Sequence, residues 1–386
     1  MRQVYLDYAS AKPLDPRVAE LAHRYEIEEF GNPASQHRFG YPARSAVNEA
    51  RDKVGTLIAA RKAEEIVFTS GATESNNLAI VGTARRLASK GRHVITTAIE
   101  HMSVLNPCKA LAKEGFEITF LPVDSEGKIS PRDVEKALRP DTILITIGYA
   151  NGEVGTIQPI AAIGEIAKAK AIVFHSDATA ALGQIAVDVV SDNLDLLTIS
   201  SNDLYGPRGS GALYVRQGVR LNPVLYGGGQ ERGIRSGSLS VPSLVAFGEA
   251  ARLTKVEGPA ESKRLLALRN RLISGVLETI ERCYLNGPRE GRLPNNVSIR
   301  FDFVEGEAIL LSLGLSGIYA ASGSACTSLT LEPSHVLLAL GVSHADAQGS
   351  ILFSLGKTTS EDDINYSLEQ IPPILSRLRA MSPLAV

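Results

Sequence analysis

The sequence predicts an α/β fold: a large domain with a mainly parallel sheet between helices, then a smaller α+β unit. Three observations lead there. Short apolar, strand-like segments alternate with helical ones from about residue 41 to about residue 199, the pattern of a parallel sheet covered on both faces. The chain has 386 residues, more than one hydrophobic core usually organises. After about residue 256 the texture changes, and a long charged helix replaces the alternation.

Each element has a local reason. Met1-Arg2-Gln3-Val4-Tyr5-Leu6-Asp7 reads as a first strand and lacks the apolar core of a signal peptide. Asp15-Pro16 starts a helix, with an N-cap followed by proline in the first turn. Residues 43–59 form a helix, 66–70 a buried strand, 73–89 a helix and 93–98 a strand; further apolar strands fall at 142–147, 171–174 and 195–199. A charged helix over 259–282 opens the second unit, the run from Pro294 to Phe301 follows, and a helix over about 361–379 closes it. The expected division is a large domain over 14–256 and a small one made of 1–13 and 257–386. No internal repeat or low-complexity tract interrupts it.

Composition narrows the function classes. Hydrophobic content is 44% and charged content 21%, ordinary for a soluble globular protein. Forty basic against 42 acidic residues give a net charge of −2, which supports neither nucleic-acid nor membrane-surface binding. No apolar run is long enough to span a bilayer. Only Cys108, Cys283 and Cys326 are present, too few for a disulfide framework, which fits a reducing cytoplasm.

Candidate chemistry sits where strands end. Ser70-Gly71-Ala72-Thr73-Glu74 follows a strand and opens a helix; its small residues let backbone amides approach a phosphate. The bland alternative is a helix cap. His101 follows the 93–98 strand and could stack on an aromatic cofactor or move protons, or be a plain surface residue. Asn151, in Asn151-Gly152, could bond a phenolic oxygen, or simply make a turn. Asp177 closes an apolar strand, where a carboxylate is expensive unless paired; the alternative is an N-cap. Cys326 sits in a small, polar loop, Ser322-Gly323-Ser324-Ala325-Cys326-Thr327-Ser328, which suits a nucleophile or sulfur carrier. Cys108 and Cys283 have helical contexts and read as packing residues.

These pieces form one ordered pattern. The chain resembles the NifS/IscS-type cysteine desulfurases, class V aminotransferase-like proteins that use pyridoxal phosphate (PLP), over essentially its full length. The matching stretches are Tyr5-Leu6-Asp7-Tyr8-Ala9, Gly31-Asn32-Pro33-Ala34-Ser35, the run from Phe68 to Ala79, Gly227 to Gly233 with Arg235-Ser236-Gly237, and the Cys326 loop. That loop is similar to the NifS/IscS branch and not to the SufS branch. The resemblance implies PLP-dependent transferase fold type I and a homodimer. It implies L-cysteine as substrate and sulfur mobilisation for iron–sulfur cluster assembly, with Cys326 as persulfide carrier to an IscU-like scaffold or another acceptor. It further implies that Ala72, Thr73 and Ser200 hold the cofactor phosphate, with Ser238 helping the partner subunit's. His101 would stack on the ring, Asn151 bond its phenolic oxygen and Asp177 its nitrogen.

The departures cluster at the chemistry. In Thr198-Ile199-Ser200-Ser201-Asn202-Asp203-Leu204-Tyr205-Gly206-Pro207, Asp203 stands where the family has its Schiff-base lysine, and Asn202 where it has histidine. Ala180 replaces a glutamine, Leu352 replaces an arginine that grips the substrate carboxylate, and Lys12 is a new cation in the N-terminal motif. Losing a hydrogen bond to a charged group, about 1.5–3 kcal/mol, weakens substrate binding by roughly one to two decades. The expected cofactor is therefore non-covalent PLP, and Lys12 is expected to pair with Asp203, or itself to form the Schiff base. Three readings stay open: a slow desulfurase; a catalytically weak or inactive dimeric partner of an iron–sulfur scaffold, with Cys326 as sulfur relay or as ligand of a shared [2Fe–2S] cluster; and different PLP chemistry with Asp203 as general base.

Overall fold

The computed structural model describes residues 2–323 and 333–382. Its centre is a seven-stranded sheet in the order Ile66–Thr69, Gly211–Val215, Leu196–Ser200, Val173–Asp177, Thr142–Thr146, His93–Thr97, Glu117–Leu121. Only Gly211–Val215 runs antiparallel to its neighbours; the remaining pairings are parallel. Six of the strands therefore point their carboxyl ends the same way, which is where open α/β sheets carry ligand chemistry. The strands are almost continuously apolar because both faces are covered, by helices such as Gly40–Leu57, Ala72–Leu87 and Met102–Lys113. Val47, Phe68, Phe174, Ile199 and Phe247 lie in the main core.

A second core forms around the antiparallel sheet Ser350–Ser354, Asn296–Phe301, Cys283–Leu285. It contains Phe301, Phe353, Leu272 and Ile371, and also Val4 and Leu6 from the N-terminus. The N-terminal strand Val4–Tyr5 pairs in parallel with Ile318–Tyr319, and isolated bridges Asp7 to Ser354 and Ala321 to Leu352 join it to the second sheet. The chain then turns back to the large sheet at Asp15, which caps the helix Pro16–Ile27 by accepting from the Arg17 amide.

Two boundaries differ from the sequence expectation. The charged helix does not begin at Pro259: one helix runs Val241–Thr279, with Pro259 inside it. Proline there removes one i to i−4 hydrogen bond. The helix survives because each half is anchored separately. Leu244, Phe247 and Leu253 bury in the main core, and Leu265, Leu272 and Val276 in the second. No residue from 254 to 264 is buried, so the change of texture marks a change of packing partner and not a helix end. The strand expected from residue 171 begins at Val173, because Ala171 adopts φ +53° to leave the preceding helix. No helix among the described residues is long and apolar enough to cross a membrane.

Candidate functional site

A cavity of about 460 Å³ opens at the carboxyl ends of the parallel strands. Five strand ends contribute one predicted position each: Ala72, His101, Asn151, Asp177 and the Asn202–Asp203 turn all line it. Tyr8 and Lys12 enter from the N-terminal segment, and Ala180, Leu352 and His335 complete the wall. Thr73, Ser200 and Ser238 do not line it; Thr73 and Ser238 are exposed, and Ser200 is half-buried at the end of its strand.

The Ala72 end is built for an anion. The helix Ala72–Leu87 starts after Gly71, at φ +146°, with no side-chain cap. Its first-turn amides therefore lack the side-chain acceptor a helix start usually has, and the helix dipole adds positive potential there. The approach is tight: a Cβ on Gly211 would sit 2.7 Å from the Gly71 Cα. Glu74 accepts from the Ser70 amide at 2.7 Å and is held by Arg235 at 2.8 Å, which fixes the turn.

A linked polar chain that the sequence did not reveal supports Asp177 and His101. Asn76 Nδ2 donates to Asp177 Oδ2 at 2.7 Å and to Ser103 Oγ at 2.8 Å. Ser103 Oγ bonds His101 Nδ1 at 2.7 Å, and the Ser103 amide donates to the same nitrogen at 3.1 Å. His101 is thus both the N-cap of Met102–Lys113 and a cavity residue. Asp177 Oδ1 accepts from the Thr179 amide, so the N-cap-like alternative and the cavity position coexist. Behind it His175 bridges Thr146 and Thr198; burial brings its pKa down to about 4, against the pull of Asp177. Asn76 falls inside the helix expected over 73–89 and Ser103 in a stretch given no role by the sequence; only the packing of Ala72–Leu87 against Met102–Lys113 brings them to Asp177.

Asn151 is mostly committed to its turn. Its Oδ1 accepts from the Glu153 and Val154 amides and its Nδ2 donates to the Ile99 carbonyl, which leaves one amide hydrogen for the cavity. Glu100, also on the cavity, accepts from Thr97 and the Gly148 amide, and burial pushes it up to about 7. Glu153 is pushed to about 7 by burial as well. Neither carboxyl stood out in the sequence, since burial of these short loops is a tertiary property.

The lysine-position turn is the most altered part. Asp203 sits in the short turn Asn202–Leu204 after Leu196–Ser200. Lys12 Nζ donates to the Asp203 carbonyl at 2.6 Å and lies 4.0 Å from its Oδ1. Lys12 is 6% exposed and lies 5.4 Å from the Tyr205 ring centroid. Burial lowers the Lys12 pKa and raises that of Asp203, whose carboxylate the Lys12 charge and the Ser200 hydroxyl stabilise. The expected Lys12–Asp203 pairing is therefore present. Asn202 Oδ1 is buried without a hydrogen-bond partner among the described residues.

Leu352, 4% exposed, is held between Ser298 and Ala321 by its backbone, so that wall of the cavity is apolar where the resemblance leads one to expect a cation. Cys108 is buried and its thiol is pushed up to about 12; Cys283 is half-buried and raised by burial. Both fit packing. Cys326 lies outside the described residues, but Gly323 and His335, on either side of that segment, both line the cavity. Among the described residues no group of three or more His, Cys, Asp or Glu side chains could hold a metal ion.

The donor set fits a phosphorylated pyridine: amides at a helix start, a half-buried carboxylate at a strand end, and a buried amide oxygen without a partner among the described residues. It does not include a lysine in the Asn202–Leu204 turn.

Comparison with known proteins gives a consistent pattern. The family described as aminotransferase class-V matches residues 4–366. The chain is 54% identical over 380 residues to cysteine desulfurase IscS 1 of Archaeoglobus fulgidus, covering 98% of this chain and 99% of that one. It is 50% identical to cysteine desulfurase IscS of Dictyoglomus turgidum, covering 99% and 97%. Among solved structures, a NifS-like protein superposes with a TM-score of 0.91 at 36% identity, over 98% of this chain and 100% of that one. A structure of SspA in complex with cysteine gives 0.82 at 35%, over 92% and 99%.

Proposed function

Since the chain belongs to the aminotransferase class-V family, we propose that it is a cysteine desulfurase-type, PLP-dependent protein that takes sulfur from L-cysteine and carries it on Cys326. The observation that carries this reading is the convergence of Ala72, His101, Asp177 and Asn202 on one cavity whose wall also includes both flanks of the Cys326 segment. The cofactor, when bound, supplies an electron sink for the substrate's α-carbon. The residues do the rest. The Ala72 and Thr73 amides would hold the phosphate, with Ser200 at the end of its strand nearby. Asp177, oriented by Asn76, would keep a ring nitrogen protonated. His101, oriented by Ser103, would stack on the ring, and the remaining amide hydrogen of Asn151 would meet the phenolic oxygen. Ser238, exposed here, completes the partner subunit's phosphate site in a cytoplasmic homodimer. The sulfur then passes to an IscU-like scaffold.

Leu352 favours a second reading: a catalytically weak dimeric partner of such a scaffold, with Cys326 as relay or as ligand of a shared [2Fe–2S] cluster. Sulfide release from cysteine with added PLP separates the two. Release by the natural protein that is lost in Cys326→Ala supports the enzyme; no release, with tight binding to a scaffold, supports the partner. Leu352→Arg is expected to lower the KM for cysteine by about tenfold to a hundredfold, the value of one hydrogen bond to a charged group. An unchanged KM in steady-state kinetics would place the carboxylate elsewhere.

A further inference from the structure

Lys12 is the only lysine or arginine among the described residues lining the cavity. Its amine reaches the turn that carries Asp203 from a different part of the chain, 2.6 Å from that residue's carbonyl oxygen and 4.0 Å from its carboxylate. The contrast with Lys357 is instructive. Both ammonium groups lie near the Tyr205 ring, at 5.4 and 4.8 Å from its centroid. Lys357 is bound by two carboxylates, Asp15 at 3.1 Å and Glu257 at 3.4 Å, and does not line the cavity. Lys12 has one carboxylate at the limit of ion pairing and is almost fully enclosed.

We propose that Lys12 is a relocated imine-forming lysine: its amine, presented from the N-terminal segment, bonds covalently to the aldehyde of PLP in this cavity. Burial lowers the Lys12 pKa against the pull of the Asp203 carboxylate, with the Lys357 charge adding to the lowering, while burial raises that of Asp203. Both shifts favour the neutral amine beside a neutral acid, and a buried lysine with a depressed pKa is the form that makes Schiff bases. The amine lone pair adds to the aldehyde carbon and a C–N bond forms. The carbonyl oxygen leaves as water with both amine protons, and the C=N bond closes. Nothing is oxidised or reduced. Asp203 is placed to give and take the proton that this addition moves.

The inference rests on the proposed cofactor site, so the experiment reads the two separately. Unreduced protein is mixed with PLP and ultrafiltered to measure binding. A second portion is reduced with borohydride, digested and mapped by mass spectrometry. Lys12 alone among the described lysines lines the cavity, so the pyridoxyl label is expected predominantly on Lys12, with Lys357 and the exposed lysines at background. Lys12→Arg keeps the charge, cannot form the imine, and is expected to retain bound PLP without the label. PLP retained with no Lys12 label, or a label on Lys357 or spread evenly, overturns the role of Lys12 and leaves the cofactor site standing. No PLP retained overturns both.

Discussion

Replacing Lys12 by methionine lowers PLP-dependent sulfide release by about 10²–10⁴-fold, the range of a positioned acid–base group, and adding Asp203→Lys to that variant restores release to within about tenfold of the parent. Position 203 lies in the turn after Leu196–Ser200, beside Asp177 on the neighbouring strand, and Lys12 reaches the same turn from the other side. One amine is needed there, and the chain has moved it. Asp203→Lys alone is a poor enzyme by the same reasoning. It sets a second ammonium about 4 Å from the first, a repulsion of roughly 4 kcal/mol at an effective dielectric of 20. Sulfide assays on the four proteins, with PLP retention measured on each, decide the matter. A Lys12→Met variant as active as the parent, or a double variant that holds PLP and stays inactive, contradicts the exchange.

Breaking the Lys12–Asp203 pair from either side destabilises the protein by about 1–3 kcal/mol, because a buried polar group is left without its partner, and the two sides respond to pH in opposite directions. In Lys12→Met the remaining Asp203 keeps the pKa that burial and Asp177 raise. From about pH 4, the ordinary carboxylate value, up to the folded value, the native state then binds more protons than the unfolded one. Stability falls as pH rises through that window. In Asp203→Asn the remaining Lys12 keeps a pKa lowered by burial and by Lys357. Between the folded value and about pH 10.4 the native state binds fewer protons, and stability grows as pH rises. Each limb has a limiting slope of about 1.4 kcal/mol per pH unit for one proton. Denaturant unfolding of both variants over pH 5 to 9 measures it; parallel slopes would show that the two groups do not titrate as a pair.

What the sequence made legible was local. Small and polar residues at strand ends are visible in any single stretch, so the turns at Ala72, His101, Asn151, Asp177 and Asp203 could be placed without knowing which strands are neighbours. What it hid was long-range. Asn76 and Ser103 look like ordinary helix positions until Ala72–Leu87 and Met102–Lys113 pack together. Glu100 and Glu153 look like solvated carboxylates until neighbouring segments cover them. The helix runs through Pro259 against the local rule that proline starts helices, because two cores hold one continuous rod. The Lys12–Asp203 pairing was anticipated because two opposite charges entered motifs that flank the same turn.

The parallel pairing of Val4–Tyr5 with Ile318–Tyr319 has a consequence in time. Val4–Tyr5 finds its strand partner only when the long stretch of chain between the two has been made. Contacts this distant in sequence form slowly, since loop-closure entropy is met before they give any return. Lys12 is thus synthesised long before the strand that seats its segment. A nascent chain can fold much of its large sheet before the segment carrying Lys12 is seated, so the proposed capture of a cofactor through Lys12 would be a late event.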